Sequence, residues 1–130
     1  MGLRDIDKQE VLAGAGGVVV VKGWILYGSS GAVTDYCSMS GVTNITDEAQ
    51  GKWNIYFDRV YKSLVSMSPA TGYIASGEKL DMVVAVDPAT TLDDGYLTVE
   101  LRNEAGTATD PSSGDIYYFE FSFDTLGLRT

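Results

Sequence analysis

Histidine is absent from this chain, and cysteine, proline and basic side chains are scarce: one Cys, three Pro and nine Lys plus Arg among 130 residues. Without imidazole, the commonest metal ligand and the commonest general base at neutral pH are both missing, which excludes Ser-His-Asp and Cys-His machinery and the usual zinc sites. A single Cys37 rules out an intrachain disulfide, so packing or oligomerisation must hold the fold, and synthesis in a reducing compartment is expected. Nine basic against eighteen acidic residues leave a net charge of −9, which repels phosphate backbones and anionic membranes; neither nucleic acid nor membrane is an expected partner. No apolar run is long enough to span a bilayer, and Met1 to Asp7 carries acids where a secretory leader would be apolar. Fixed-period repeats and heptads are also missing, so no coiled-coil shaft is expected.

What remains is a composition 45% hydrophobic and 21% charged, that of an ordinary globular domain with one core. Residues 1–17 read as an arm and hinge: polar with Leu3, Ile6, Val11 and Leu12 interspersed, then Ala13-Gly14-Ala15-Gly16-Gly17, which has almost no side chain to pack. Residues 18–130 read as one all-β domain. Val18 to Tyr27 is β-branched and apolar on both alternating faces, which predicts a strand covered on both sides. Ala32 to Tyr36 resumes an extended pattern expected to continue through Met39 and Val42, and Asn44 to Gly51 reads as a polar connection.

Lys52 to Phe57 alternates with Trp53, Ile55 and Phe57 inward, and a short strand at Leu64 to Met67 precedes a turn at Pro69-Ala70-Thr71-Gly72. Leu80 to Val86 follows, ended by Asp87-Pro88, with a tight turn at Asp93-Asp94-Gly95. Tyr96 to Arg102 places Leu97, Val99 and Leu101 inward and leaves Thr98, Glu100 and Arg102 on a wet outer face; Tyr117, Phe119, Phe121 and Phe123 point inward from the last strand. About seven short strands between Gly, Pro, Asn and Asp turns predict an antiparallel β-sandwich, jelly-roll-like.

Chemistry has few candidates. Cys37 sits in an apparent strand and reads as a packed thiol rather than a nucleophile. Asp93, Asp94, Asp110 and Asp115 lie in loops where a carboxylate pair could hydrolyse a glycoside, but acids beside Gly and Pro are mostly turn formers. The 110–115 loop lacks the alternating ligands and final Glu of an EF-hand, so it reads as a solvated turn. No enzyme activity, cofactor or metal is expected. Among the eight tyrosines, Tyr56, Tyr96 and Tyr118 fall opposite the apolar stripe and, with Trp24, are the candidates for an oligomer interface.

One stretch carries a family resemblance. Lys22-Gly23-Trp24-Ile25-Leu26-Tyr27-Gly28-Ser29-Ser30-Gly31, then Ser38 through Val42-Thr43-Asn44-Ile45-Thr46-Asp47, then Gly51-Lys52-Trp53-Asn54-Ile55-Tyr56-Phe57, resembles a β module of tailed-phage tail fibres. That module runs from a Lys-x-Trp strand and Gly-rich turn through a Val-Ser-Ser-Ile-like strand and an Asp turn to a Gly-x-Tyr-x-Val-x-Phe strand. The resemblance implies a bacteriophage virion structural protein, self-associating as a trimer and made in the host cytoplasm. Tail-fibre modules generally end long repetitive chains, whereas here the module follows only a short arm. The layout therefore also resembles a head decoration or cement protein on the capsid surface. In this first reading the major capsid protein or another virion protein is the partner, gripped by the arm residues Leu3, Ile6, Val11 and Leu12. The alternative is a fibre tip binding a host receptor or glycan through Leu92 to Gly95 and Asn103 to Gly114.

Overall fold

A computed structural model describes residues 17–38 and 41–124. They form eight strands: β1 (Val18–Tyr27), β2 (Val33–Tyr36), β3 (Val42–Ala49), β4 (Lys52–Phe57), β5 (Ser63–Tyr73), β6 (Asp81–Val84), β7 (Tyr96–Arg102) and β8 (Ile116–Asp124). A single helical turn, α1 (Pro88–Thr91), lies between β6 and β7. The strands make two four-stranded sheets, ordered β2-β1-β8-β5 and β3-β4-β7-β6, and every pairing is antiparallel. The all-β sandwich expected from the alternation is thus the fold. The arm residues Leu3, Ile6, Val11 and Leu12, and Met39, lie outside the described residues.

The core is what period two dictates. β4 sends Trp53, Ile55 and Phe57 inward, β7 sends Leu97, Val99 and Leu101, and β8 sends Tyr117, Phe119, Phe121 and Phe123; all are buried. Each fully buried side chain of this size contributes about 1.5–3 kcal/mol on transfer from water. Aromatic rings organise the two ends of the core. At one end Tyr61 stacks on Phe123 with centroids 4.3 Å apart, and Phe57 meets Phe123 edge-on at 5.1 Å. At the other, Tyr27 packs on Trp53 at 4.7 Å and on Tyr117 at 6.0 Å.

Several expectations are corrected. β1 is covered on one side only: Val21, Ile25 and Tyr27 are buried, while Val18 and Val20 stand 50% and 46% exposed on the other side. Its run of valines satisfies one core face and leaves a second apolar face uncovered. Asn44 to Ala49 is strand rather than connection, because Val42 and Ile45 alone anchor β3 to the core and its other face is wet. Pro69 to Gly72 is not a turn but part of β5; the proline is accommodated where the β5–β8 ladder slips between Ser68 and Thr71 at the sheet edge.

The strand expected over Leu80 to Val86 is limited to Asp81–Val84, and Asp87 ends it by capping α1, its carboxylate accepting from the Ala89 amide at 3.0 Å. The outer face of β7 is not wet: Thr98 and Glu100 are buried, as is Asn54 beside them. Cys37 lies just past β2, half-buried rather than in the core, its amide donating to the Trp24 carbonyl at 3.1 Å. The Asp93-Asp94-Gly95 turn forms as expected, with Gly95 at φ +82, a left-handed conformation that other residues resist.

Candidate functional site

The sandwich has two outer faces, and their chemistry differs. On the β3-β4-β7-β6 sheet, polar groups close over one another. The Thr98 hydroxyl donates to Asn54 Oδ1 at 2.7 Å, and Asn54 Nδ2 donates to Glu48 Oε2 at 2.9 Å. Glu100 accepts from Arg102 Nε and lies 3.6 Å from Lys52 Nζ. The Arg102 hydrogen bond, helped by the Arg102 and Lys52 charges, outweighs burial and holds the Glu100 carboxyl below the usual range. Tyr56 and Tyr96, register partners on β4 and β7, pack ring to ring at 5.1 Å. This face is satisfied within the chain.

The outer face of the β2-β1-β8-β5 sheet is different. Residues of β1 alternate, so Val18, Val20, Lys22, Trp24 and Leu26 all leave on this side, opposite Asp124, Ser122, Glu120, Tyr118 and Ile116 of β8. Tyr73 of β5 adds to the Ile116 end. Tyr118 is 47% and Tyr73 61% exposed, and Trp24, Leu26 and Ile116 are half-buried. Lys22 lies 3.7 Å from Glu120 near the middle of the face, beside a shallow hollow of about 290 Å³ floored by Ser68, Pro69, Thr71 and Tyr118. The result is a mixed face: Val18 and Val20 at one end and Trp24, Leu26, Tyr118, Ile116 and Tyr73 at the other, with the Lys22–Glu120 pair between them and Ser63, Ser66, Ser68 and Thr71 along the β5 edge.

The four interface candidates therefore separate into two pairs. Trp24 and Tyr118 share the open apolar face, while Tyr56 and Tyr96 sit on the opposite side of the molecule. No single flat contact covers all four. Sequence reasoning omitted Val18, Val20, Leu26, Ile116 and Tyr73 from this surface. For Val18, Val20 and Leu26 the signal was apolarity on the second face of β1, visible but read as core.

The loop carboxylates also separate. Asp93 and Asp94 are exposed in the turn before β7. Asp115, read as a solvated turn former, is fully buried, and its two oxygens accept from the Ala75 amide at 2.8 Å and the Ser112 amide at 2.9 Å. Asp110 Oδ1 accepts from the Gly51 amide at 2.8 Å. Both acids tie loops to the sandwich. Among the described residues no group of three or more His, Cys, Asp or Glu converges on one point, and no helix is long and apolar enough to cross a membrane. Comparison with protein families, with curated proteins and with solved structures yields no match.

Proposed function

We propose that this chain is a non-enzymatic structural module of a bacteriophage virion that works as a homotrimer, joined through the outer face of the β2-β1-β8-β5 sheet. The observation that carries self-association is the open apolar surface of Val18, Val20, Trp24, Leu26, Tyr118 and Tyr73. Scattered exposed hydrophobics are ordinary, but aromatic and β-branched side chains grouped on one face, divided only by the Lys22–Glu120 pair, favour an interaction site. Lys22 beside Glu120 lets copies of an acidic chain bring that carboxylate into the contact together with its own base. The missing histidines and the commitment of Asp110 and Asp115 to backbone amides support the non-enzymatic part.

The virion part rests on the resemblance of Lys22 to Phe57 to a tail-fibre module. That stretch supplies most of β1 and all of β2, β3 and β4, so it spans both sheets rather than one local hairpin. A head-decoration place is the leading reading and a tail-fibre place the alternative. The copy number of the chain in purified particles separates the two: hundreds place it on the head, a handful on the tail.

Sedimentation of the purified chain tests the assembly. The expected result is a trimer at micromolar concentration that Val20→Lys with Tyr118→Lys converts to monomers of unchanged circular dichroism. A monomeric wild-type chain, or a trimer indifferent to both substitutions, overturns the proposed interface.

A further inference from the structure

The outward side chains of β1 and β8 come in cross-strand pairs, one pair to a level: Val18 with Asp124, Val20 with Ser122, Lys22 with Glu120, Trp24 with Tyr118 and Leu26 with Ile116. The middle level alone sets a base against an acid. Lys22 Nζ lies 3.7 Å from Glu120 Oε1, with the lysine side chain 72% exposed and the glutamate side chain 39%. The acid is also held from β5, where the Ser68 hydroxyl donates to Glu120 Oε2 at 3.3 Å. Glu120 is thus fixed by its own sheet, while the ammonium of Lys22 stands out on a long stem that can reach another surface.

A second observation lies beside this pair. The β5–β8 ladder slips between Ser68 and Thr71, and the hollow of about 290 Å³ runs across β8 at that level, from Lys22 and Gly23 to Ser68, Pro69 and Thr71, with Tyr118 and Glu120 also lining it. One or two waters, with a liquid share of about 30 Å³ each, would not fill it; a side chain from outside would. A carboxylate, two hydroxyls and an exposed phenol ring are the groups that receive an ammonium ion.

Symmetry says which ammonium. A closed trimer makes heterologous contacts, one side of each copy's patch against the other side of the next copy's. With the strands running along the threefold axis, the β1 side of one face meets the β8 and β5 side of its neighbour, level by level. Resting on the reading that the chain trimerises through this face, we propose that Lys22 of each copy enters the hollow of the next and pairs with Glu120 there, so that lysines and glutamates alternate in a closed ring around the axis. The ring fixes the axial register. A copy slipped by one level, two residues or about 6.8 Å, would set Lys22 against Ser122 or Tyr118 and leave Glu120 facing Val20 or Trp24. The valines on one side of the ring and the aromatic residues on the other supply non-directional burial that tolerates such a slip. The charged level does not, and in this it acts like a single polar residue in the seam of a coiled coil.

The test uses the full chain and a charge-exchanged form, Lys22→Glu with Glu120→Lys, carrying tags of different mass and produced together in the same cells. The pair within each chain is preserved in both forms, so mixing reports only contacts between chains. Inside a trimer of either form every base meets a neighbour's acid, whereas between forms like meets like. Native mass spectrometry should therefore find trimers of each form and no mixed ones. Lys22→Glu and Glu120→Lys alone, with unchanged circular dichroism, should need about tenfold or more protein to assemble. Random mixing of the two forms, a charge-exchanged form that stays monomeric, or single variants that assemble like the wild type overturns the ring and leaves the trimeric contact standing; a monomeric wild type overturns both.

Discussion

Gly23 and Phe119 are register partners on β1 and β8, and the phenyl ring lies so close over the glycine that a Cβ there would fall 2.5 Å from Phe119 Cζ. Phe119 is almost fully buried, so the ring cannot swing outward. Gly23→Ala is therefore expected to destabilise the domain by about 1–3 kcal/mol through overpacking, read as a lower urea midpoint at unchanged slope. Phe119→Leu shortens the offending group, so the double variant should be less destabilised than the sum of the two single ones. Strict additivity would show that the clash is relieved elsewhere.

Asp115 was a candidate for catalysis on position alone, and its surroundings give it a different task. One carboxylate oxygen holds the Ala75 amide after β5 and the other holds the Ser112 amide, joining two loops at a fully buried point. Asp115→Asn presents an NH₂ group to one of these N–H donors. It should cost about 1–3 kcal/mol of folding stability, measured by denaturant melts, while Asp94→Asn in the exposed turn changes stability by under about 0.5 kcal/mol. Equal effects of the two would contradict the assigned role.

How far this could be read from the chain depends on what period two does and does not encode. Alternation in Lys52 to Phe57, Tyr96 to Arg102 and Ile116 to Phe123 identifies each core face, because a one-residue slip would expose Trp53 or Phe121. An edge strand is harder. Thr43, Asn44, Thr46 and Asp47 look like loop residues, yet one wet face is all that an edge position requires, and Val42 with Ile45 suffices to hold β3. Alternation also says that a side chain points outward without saying from which sheet. Tyr56, Tyr96, Tyr118 and Trp24 therefore looked like one group and became two. The burial of Glu100 and Asn54 under their own neighbours was illegible for the same reason: long charged side chains cover a sheet only once the register is known.

Tyr27 and Tyr117 are neighbouring buried phenols with opposite hydrogen-bonding states. The Tyr117 oxygen accepts from the Leu80 amide at 2.9 Å, whereas the Tyr27 hydroxyl has no partner. Tyr27→Phe should be neutral or stabilising by about 1 kcal/mol, and Tyr117→Phe destabilising by about 1–3 kcal/mol, because the latter strands a buried amide. Chemical denaturation of the two variants side by side reads the contrast. A Tyr27→Phe variant as unstable as Tyr117→Phe would mean that the Tyr27 hydroxyl is satisfied in solution.

Glu100 gives the domain a predictable acid limb. Its folded carboxyl lies below its ordinary value of 4.5, chiefly through the Arg102 hydrogen bond, with Arg102 and Lys52 charges adding to it against burial. A depressed folded pKa means that the unfolded chain takes up the proton first. The Glu100 contribution is then complete above the unfolded value and is lost as pH falls through the lower, folded one. Glu100→Gln should accordingly be less stable than the wild type at pH 7, with the gap narrowing as the pH is lowered below about 4.5. Asp47, raised by burial and Asp110, has the opposite sign: its penalty is full above its folded value and vanishes as pH falls to the unfolded one, so Asp47→Asn should gain stability at neutral pH. Urea midpoints of the wild type and both variants across this range separate the two groups. A gap for Glu100→Gln that stays constant with pH would show that its ion pairs with Arg102 and Lys52 do not hold the carboxylate in solution.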